Sequence, residues 1–338
     1  MTTNSTFKEE EKFCNKILKT RRIKNKIVVL CEGDRAYLNI RTPQQIRQLE
    51  NIPDANFWTA CIPQWWREKR PVFLPCGGRN DVLRVREALL EMHDRDPENS
   101  YLSPDKLFVL VDRDLENTDI ALSYNNIETL CQEMYANIDT MYKAISESKI
   151  IVTGWMHKEA YFLEPDLAEL FAAHENKPMY NGEKLSLEKI YHDMNQDIID
   201  PQDDDEKIAE EKRKEIEEMQ NNFTTISERV KRTCQNLDGT FVDKKEFCDR
   251  WKIAFTNPSC NPTQKRELIE VILKIRKAKL YWENKIHLSS SYSNLTETEL
   301  KNNLSLEIAN FYSDRCQKLD RSHPYHIPHW MRCLIRFC

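Results

Sequence analysis

The sequence predicts an α/β protein: a mostly parallel sheet flanked by helices, followed by a mainly helical second half. Three observations carry this reading. Lys26-Ile-Val-Val-Leu-Cys31 and Leu107-Phe-Val-Leu-Val111 are runs rich in Val, Ile and Leu that stop abruptly at polar residues, as strands buried on both faces do. From residue 25 to about 154, strand-like and helix-like segments alternate, the pattern of parallel strands joined by crossover helices. After about residue 160 the strand signal fades and helical periodicity takes over.

Each element has a local reason. Residues 5–22 read as an amphipathic helix that ends in the basic run Lys19-Thr-Arg-Arg-Ile-Lys-Asn-Lys26, and the first strand follows at 27–31. Pro71-Val-Phe-Leu-Pro75 reads as the second strand, Gly77-Gly78 as a turn, and 80–94 as a helix with Val82, Val85, Leu89 and Leu90 on one face. The third strand ends at Asp112. A helix over 122–146 leads to the fourth strand, Lys149-Ile-Ile-Val-Thr-Gly154. Residues 186–233 read as helical, interrupted by Asp203-Asp-Asp-Glu206, and 262–287 as a further helical stretch with Leu268, Val271, Ile272, Ile275 and Leu280 in register. The expected domains are an N-terminal helix over 1–24, an α/β domain over 25–165 and a helical domain over 166–338, suited to docking or dimerisation.

Composition narrows the classes. The 338 residues carry a formal net charge of −5 with 31% charged side chains, which fits a folded globular chain. No apolar stretch approaches the roughly 20 residues of a membrane span, and MTTNSTFKEEEKF lacks an apolar signal core. A cytoplasmic protein with no membrane contact is therefore expected. The eleven cysteines are scattered without a Cys-x-x-Cys pair, which reads as reduced thiols, many of them core fillers. His323, His326, His329 and Cys333 have no standard zinc spacing, and Pro324 and Pro328 break helical registry, so a packed tail is expected there. No phosphate-binding Gly-x-x-x-x-Gly-Lys, no Gly-x-Ser-x-Gly and no dinucleotide fingerprint occurs.

Chemistry concentrates at strand ends. Glu32 follows the first strand, and Asp112 and Asp114 follow the third, where open α/β sheets place their ligands. Residues two apart on an extended chain point the same way. Such carboxylates make a hard oxygen site suited to Mg²⁺ or Mn²⁺, or else serve as helix caps. Four of the six glycines, at 33, 77, 78 and 154, directly follow predicted strands. Arg79, Arg113 and Lys158, with Arg35 and Arg84, are candidate phosphate contacts; Arg79 starts a helix. Trp65 and Trp66, beside Arg67, Lys69 and Arg70, read either as base-stacking groups or as core or interface aromatics.

Glu32-Gly33 after an apolar strand, a strand–Gly77-Gly78–helix unit, and Asp112-x-Asp114 after another strand together resemble the TOPRIM domain over roughly residues 25–165. That domain is shared by topoisomerases, bacterial primases, small RNA-maturation nucleases and the overcoming-lysogenization-defect nucleases. The segment Gly154-Trp-Met-His-Lys158-Glu159-Ala-Tyr-Phe-Leu-Glu-Pro165 resembles the stretch that follows the core in ATPase-linked members, including the nuclease effector of the PARIS anti-phage system. The resemblance implies Mg²⁺ or Mn²⁺ held by Glu32, Asp112 and Asp114, with Glu159 as a further acid. Alternatively, Glu159 caps a helix whose Tyr161, Phe162 and Leu163 face the core. The resemblance also implies cleavage of RNA, such as tRNA, or DNA, a separate ATPase partner, a defence role and a possible homodimer. The chain departs from the pattern at Ala36, where many members carry an acid, which leaves one versus two metals open. A non-catalytic TOPRIM-like module that binds nucleic acid or protein is the alternative reading; a primase-like or topoisomerase-like enzyme is a third.

Overall fold

A computed structural model describes residues 3–34, 42–113, 127–199, 244–257, 259–275, 278–288, 294–316 and 326–338. Its contacts divide the chain into two compact units: 1–112, 133–153 and 302–338 in the first, 113–132 and 154–301 in the second. This division runs elsewhere than the expected boundaries at 24 and 165, because the C-terminal segment packs with the N-terminal one.

The first unit is built on four strands, β1 (Val28–Cys31), β2 (Val72–Pro75), β3 (Leu107–Val111) and β4 (Ile150–Val152), every residue of which is buried. They pair in parallel in the order β2-β1-β3-β4. Burial on both faces explains why they read as continuous apolar runs instead of alternating ones. The helices of this part are α1 (Thr3–Leu18), α2 (Ile46–Leu49), α3 (Pro53–Ala60), α4 (Arg79–Arg95) and α6 (Ile138–Ser148), while α5 (Ile127–Ala136) spans the division at 132–133. Helix α4 buries Val82, Val85 and Leu89 and packs on β1, β3 and α1. Arg84 fixes the α1–α4 pair by reaching Glu10 Oε2 at 2.7 Å and Asp81 Oδ1 at 2.6 Å.

In the second unit, α7 (Ala168–Ala173) precedes a three-stranded antiparallel sheet of β5 (Met179–Tyr180), β6 (Glu183–Lys184) and β7 (Ile286–His287), in the order β6-β5-β7. Helices α8 (Leu187–Ile199), α9 (Lys244–Thr256) and α10 (Pro262–Ile275) pack on one another, and α11 (Ala278–Asn284) lies against the 3₁₀ segment 158–163. Helix α12 (Glu297–Arg315) carries the chain back to the first unit, where α13 (His326–Ile335) packs on α6.

Several expected elements differ. The N-terminal helix stops at Leu18, and a short 3₁₀ turn takes Arg21–Ile23. Of the helix expected over 122–146, residues 122–126 lie outside the described ones, and the remainder is two helices parted at Asn137, whose side chain caps α6 by accepting the Thr140 N–H at 2.9 Å. The stretch 262–287 is two helices and a strand, because Ile286 pairs with Tyr180. Of the 186–233 stretch, 186–199 is described, with α8 over 187–199; 200–233, with the acidic run, lies outside the described residues. Pro328 does not break α13. It is the third residue, where a missing N–H loses no intrahelical bond.

Among the described residues all cysteines are free thiols. Burial pushes Cys14, Cys316 and Cys333 from the ordinary 9.0 up to about 12, and Cys61 and Cys76 well above it. A thiol held neutral in the fold but free to ionise when unfolded contributes stability that is full below the unfolded value. That contribution is lost as pH climbs from about 9 toward 12. Urea midpoints in reducing buffer should therefore fall steeply above about pH 9; a flat profile would refute the burial of these thiols. Gly33 has φ +154°, and a Cβ there would meet Asp54 Oδ2 at 2.7 Å and Pro75 Cβ at 3.0 Å. Gly33→Ala should cost about 2–3 kcal/mol in a denaturant titration, through backbone strain and the clash together.

Candidate functional site

The strand order makes one place distinct. From β1 the chain moves to β2 on one side, and β3 then returns on the other side of β1. A ligand crevice forms at such a switch point, outside the carboxyl ends of the two strands. Cys31 is level with Leu110 in the β1–β3 register, so Glu32 and Asp112 leave the sheet side by side. Glu32 Oε1 accepts the backbone N–H of Asp112 at 2.8 Å, and both residues are half-buried. The structure thus brings together two of the acidic residues expected from sequence, through the Glu32 carboxylate and the Asp112 main chain. Asp114 and Arg35 lie outside the described residues.

Gly33 and Gly77 tie the next turn of the site. Cys76 N–H donates to Cys31 O at 2.9 Å, and Gly33 N–H donates to Gly77 O at 3.0 Å. The β1 and β2 exits are therefore bridged just beyond their last residues. Gly78 is the N-cap of α4, and its N–H donates to Asp81 Oδ2 at 3.2 Å. The helix start expected to receive phosphate thus already holds a carboxylate of its own. Arg79 follows at the first helical position and is only 7% exposed. Arg84, also a candidate phosphate contact, is engaged in the Glu10 and Asp81 ion pairs.

Asp54, at the second position of α3, lies on the same rim with its carboxylate against Gly33. It carried no sequence signal as a site residue: a lone acid in the first turn of a helix is an ordinary helix-start residue. Among the described residues, no group of three His, Cys, Asp or Glu side chains is placed to hold a metal. The donor set nevertheless fits Mg²⁺, which uses one or two carboxylates and completes its shell with water and substrate phosphate oxygens. Glu32 and Asp112 would be the residues to hold it.

Arg113, Lys158 and Glu159 belong to the second unit. Arg113 is buried and Nη1 reaches Gly154 O at 3.4 Å. Glu159 lies in the first turn of the 158–163 segment, 8% exposed, with Lys158 Nζ at 3.5 Å from Oε1. Tyr161, Phe162 and Leu163 are buried, as the core-facing alternative expected. The segment is held firmly. Gly154 N–H donates to Tyr161 Oη at 2.8 Å, Tyr191 Oη donates to Leu163 O at 2.6 Å, and buried Glu164 pairs with Arg266 at 3.3 Å. Lys274 was not foreseen. Burial lowers its pKa, opposed by Glu270 and aided by Arg113.

No protein-family model, curated protein or solved structure matches the chain.

Removing the Glu32 side chain leaves the Asp112 N–H without its acceptor at a half-buried position. Glu32→Ala should lower stability by about 1–3 kcal/mol, with Glu32→Gln costing less because its amide oxygen still accepts. Denaturant titrations of the two variants check this; equal midpoints would remove the bond from the account of the site.

Proposed function

We propose that the chain is a TOPRIM-like, Mg²⁺- or Mn²⁺-dependent nuclease that cleaves phosphodiester bonds of RNA, such as tRNA, or of DNA. The observation that carries the reading is the Glu32–Asp112 contact at the switch point of a parallel sheet. Acids at that position suit phosphoryl transfer: a bound divalent cation would polarise the phosphate and make water a better nucleophile. Glu32 is the residue best placed to take a proton, and its bond to the Asp112 peptide fixes its orientation. Asp112 and Asp114 would complete the metal-holding set, with Glu159 assisting. Arg79, Arg113 and Lys158 would neutralise substrate phosphates.

By the same resemblance, a separate ATPase holds or releases this activity and the chain acts as a toxic effector in anti-phage defence. A homodimer fits that arrangement. No described helix is long and apolar enough to cross a membrane. Ala36 favours one other reading, a TOPRIM-like module that binds nucleic acid or protein without cutting.

Purified protein incubated with labelled tRNA, single-stranded RNA and plasmid DNA should cut at least one of them in Mg²⁺ or Mn²⁺ and none in EDTA. Glu32→Ala and Asp112→Asn should each reduce the rate by a factor of about 100 or more. Cleavage that persists in Glu32→Ala would sink the assignment. A metal titration showing no carboxylate-dependent site would favour the binding module.

A further inference from the structure

The opposite rim of the first unit's sheet has the opposite charge. Because all four strands are parallel, the residues that precede them share one edge. Lys26, Lys69, Lys106 and Lys149 stand there, within three residues of the starts of β1, β2, β3 and β4 respectively. Lys69 is exposed and the other three are half-buried. Phe337 and Cys338 lie across this edge. Phe337 packs on Phe108 of β3 with ring centroids 5.0 Å apart, and the Lys149 amine sits 4.0 Å from the Phe337 ring centre. Cys338 Sγ donates to Lys69 O at 3.2 Å. Burial raises the Cys338 thiol, while the positive charges of Lys106, Lys69 and Lys26 draw it down. Asp105, beside Lys106, is the acid that Lys149 feels on this edge.

A cavity of about 360 Å³ adjoins this edge, lined by Trp65, Trp66, Cys316 and Arg332. It lies at the strand starts because α3 begins beside Gly33 at the carboxylate rim and runs back along β2, delivering 64–69 just before Val72. Trp65 is 50% exposed, which is unusual for so large an apolar side chain in this protein. Arg332 is fixed in place: Nε donates to Cys316 O at 2.8 Å, which holds the guanidinium at the cavity wall.

We propose that this edge is a second nucleic-acid contact, in which Trp65 stacks an unpaired base at the cavity while Arg332 and the strand-start lysines take the flanking phosphates. An indole face accepts any base but needs it unstacked, so the ligand is single-stranded. Lysines alone would suit any polyanion; the tryptophan-lined cavity favours nucleic acid over an acidic polypeptide. The proposal rests on the nucleic-acid reading above, but not on cleavage.

The test uses the full chain carrying Glu32→Gln, in EDTA, so that bound strands stay intact. Binding of labelled single-stranded RNA and DNA oligonucleotides is followed by anisotropy, and tryptophan quenching by intrinsic fluorescence. Trp65→Ala, at a half-exposed position that tolerates truncation, should weaken binding about tenfold and remove part of the quenching. Replacing Lys26, Lys69 and Lys106 together by Gln should weaken it further and reduce the log–log salt slope by about 2. Full competition by adenosine monophosphate would keep the base-and-phosphate site and assign it to a free nucleotide. Weak competition would assign it to a strand. Wild-type affinity in both variants would overturn the proposal. So would displacement of the strand by polyglutamate combined with no effect of Trp65→Ala, which would give the edge to an acidic protein. Loss of cleavage activity in every assay, with this binding intact, would remove the nuclease reading and leave the second contact standing.

Discussion

Parallelism is the constraint from which the chemistry of the first unit follows. An antiparallel sheet mixes strand starts and strand ends along each edge. This one sorts them, with every carboxyl end on one rim and every amino end on the other. The acids Glu32, Asp54 and Asp112 collect on the first rim, and Lys26, Lys69, Lys106 and Lys149 on the second. The order β2-β1-β3-β4 then selects one point on the acidic rim, between β1 and β3, where the connections diverge and the backbone opens. The two most informative residues of the sequence meet there.

The surroundings of that point are rigid for identifiable reasons. Gly33 and Gly77 exchange a bridge where neither a side chain nor an ordinary φ would be tolerated at Gly33. Asp81 closes the N-terminus of α4 and, with Glu10, holds Arg84 between α4 and α1. A side chain held by a main-chain hydrogen bond has its orientation fixed in advance. Glu32 has this property through its bond to a main-chain amide, which moves only if the sheet does.

The strands and the Glu32–Asp112 meeting were legible in the sequence because buried parallel strands are long apolar runs with polar stops, and Glu32 and Asp112 are those stops. Helix ends were less legible. The break at Asn137 depends on a cap, and helical periodicity on either side reads through it. The β5–β6 hairpin was missed although Asn181-Gly182 is a strong turn signal; both residues have positive φ. Its strands are two residues long, too short to show alternation, and the third strand comes from a hundred residues further on. Asp54 and Lys274 were invisible for a different reason. Each is an ordinary residue on a helix, and only tertiary packing sets one against Gly33 and half-buries the other.

The first unit is assembled from three separated stretches of chain, the last being 302–338. Helix α13 covers α6, and Phe337 covers Phe108 of a central strand. On the ribosome, the sheet strands emerge long before the segment that seals them. Their apolar surface must wait through the synthesis of the whole second unit. Contacts of such long sequence separation slow folding and leave the intermediate prone to association. The α/β unit therefore cannot reach its finished packing until residues 302–338 have been made.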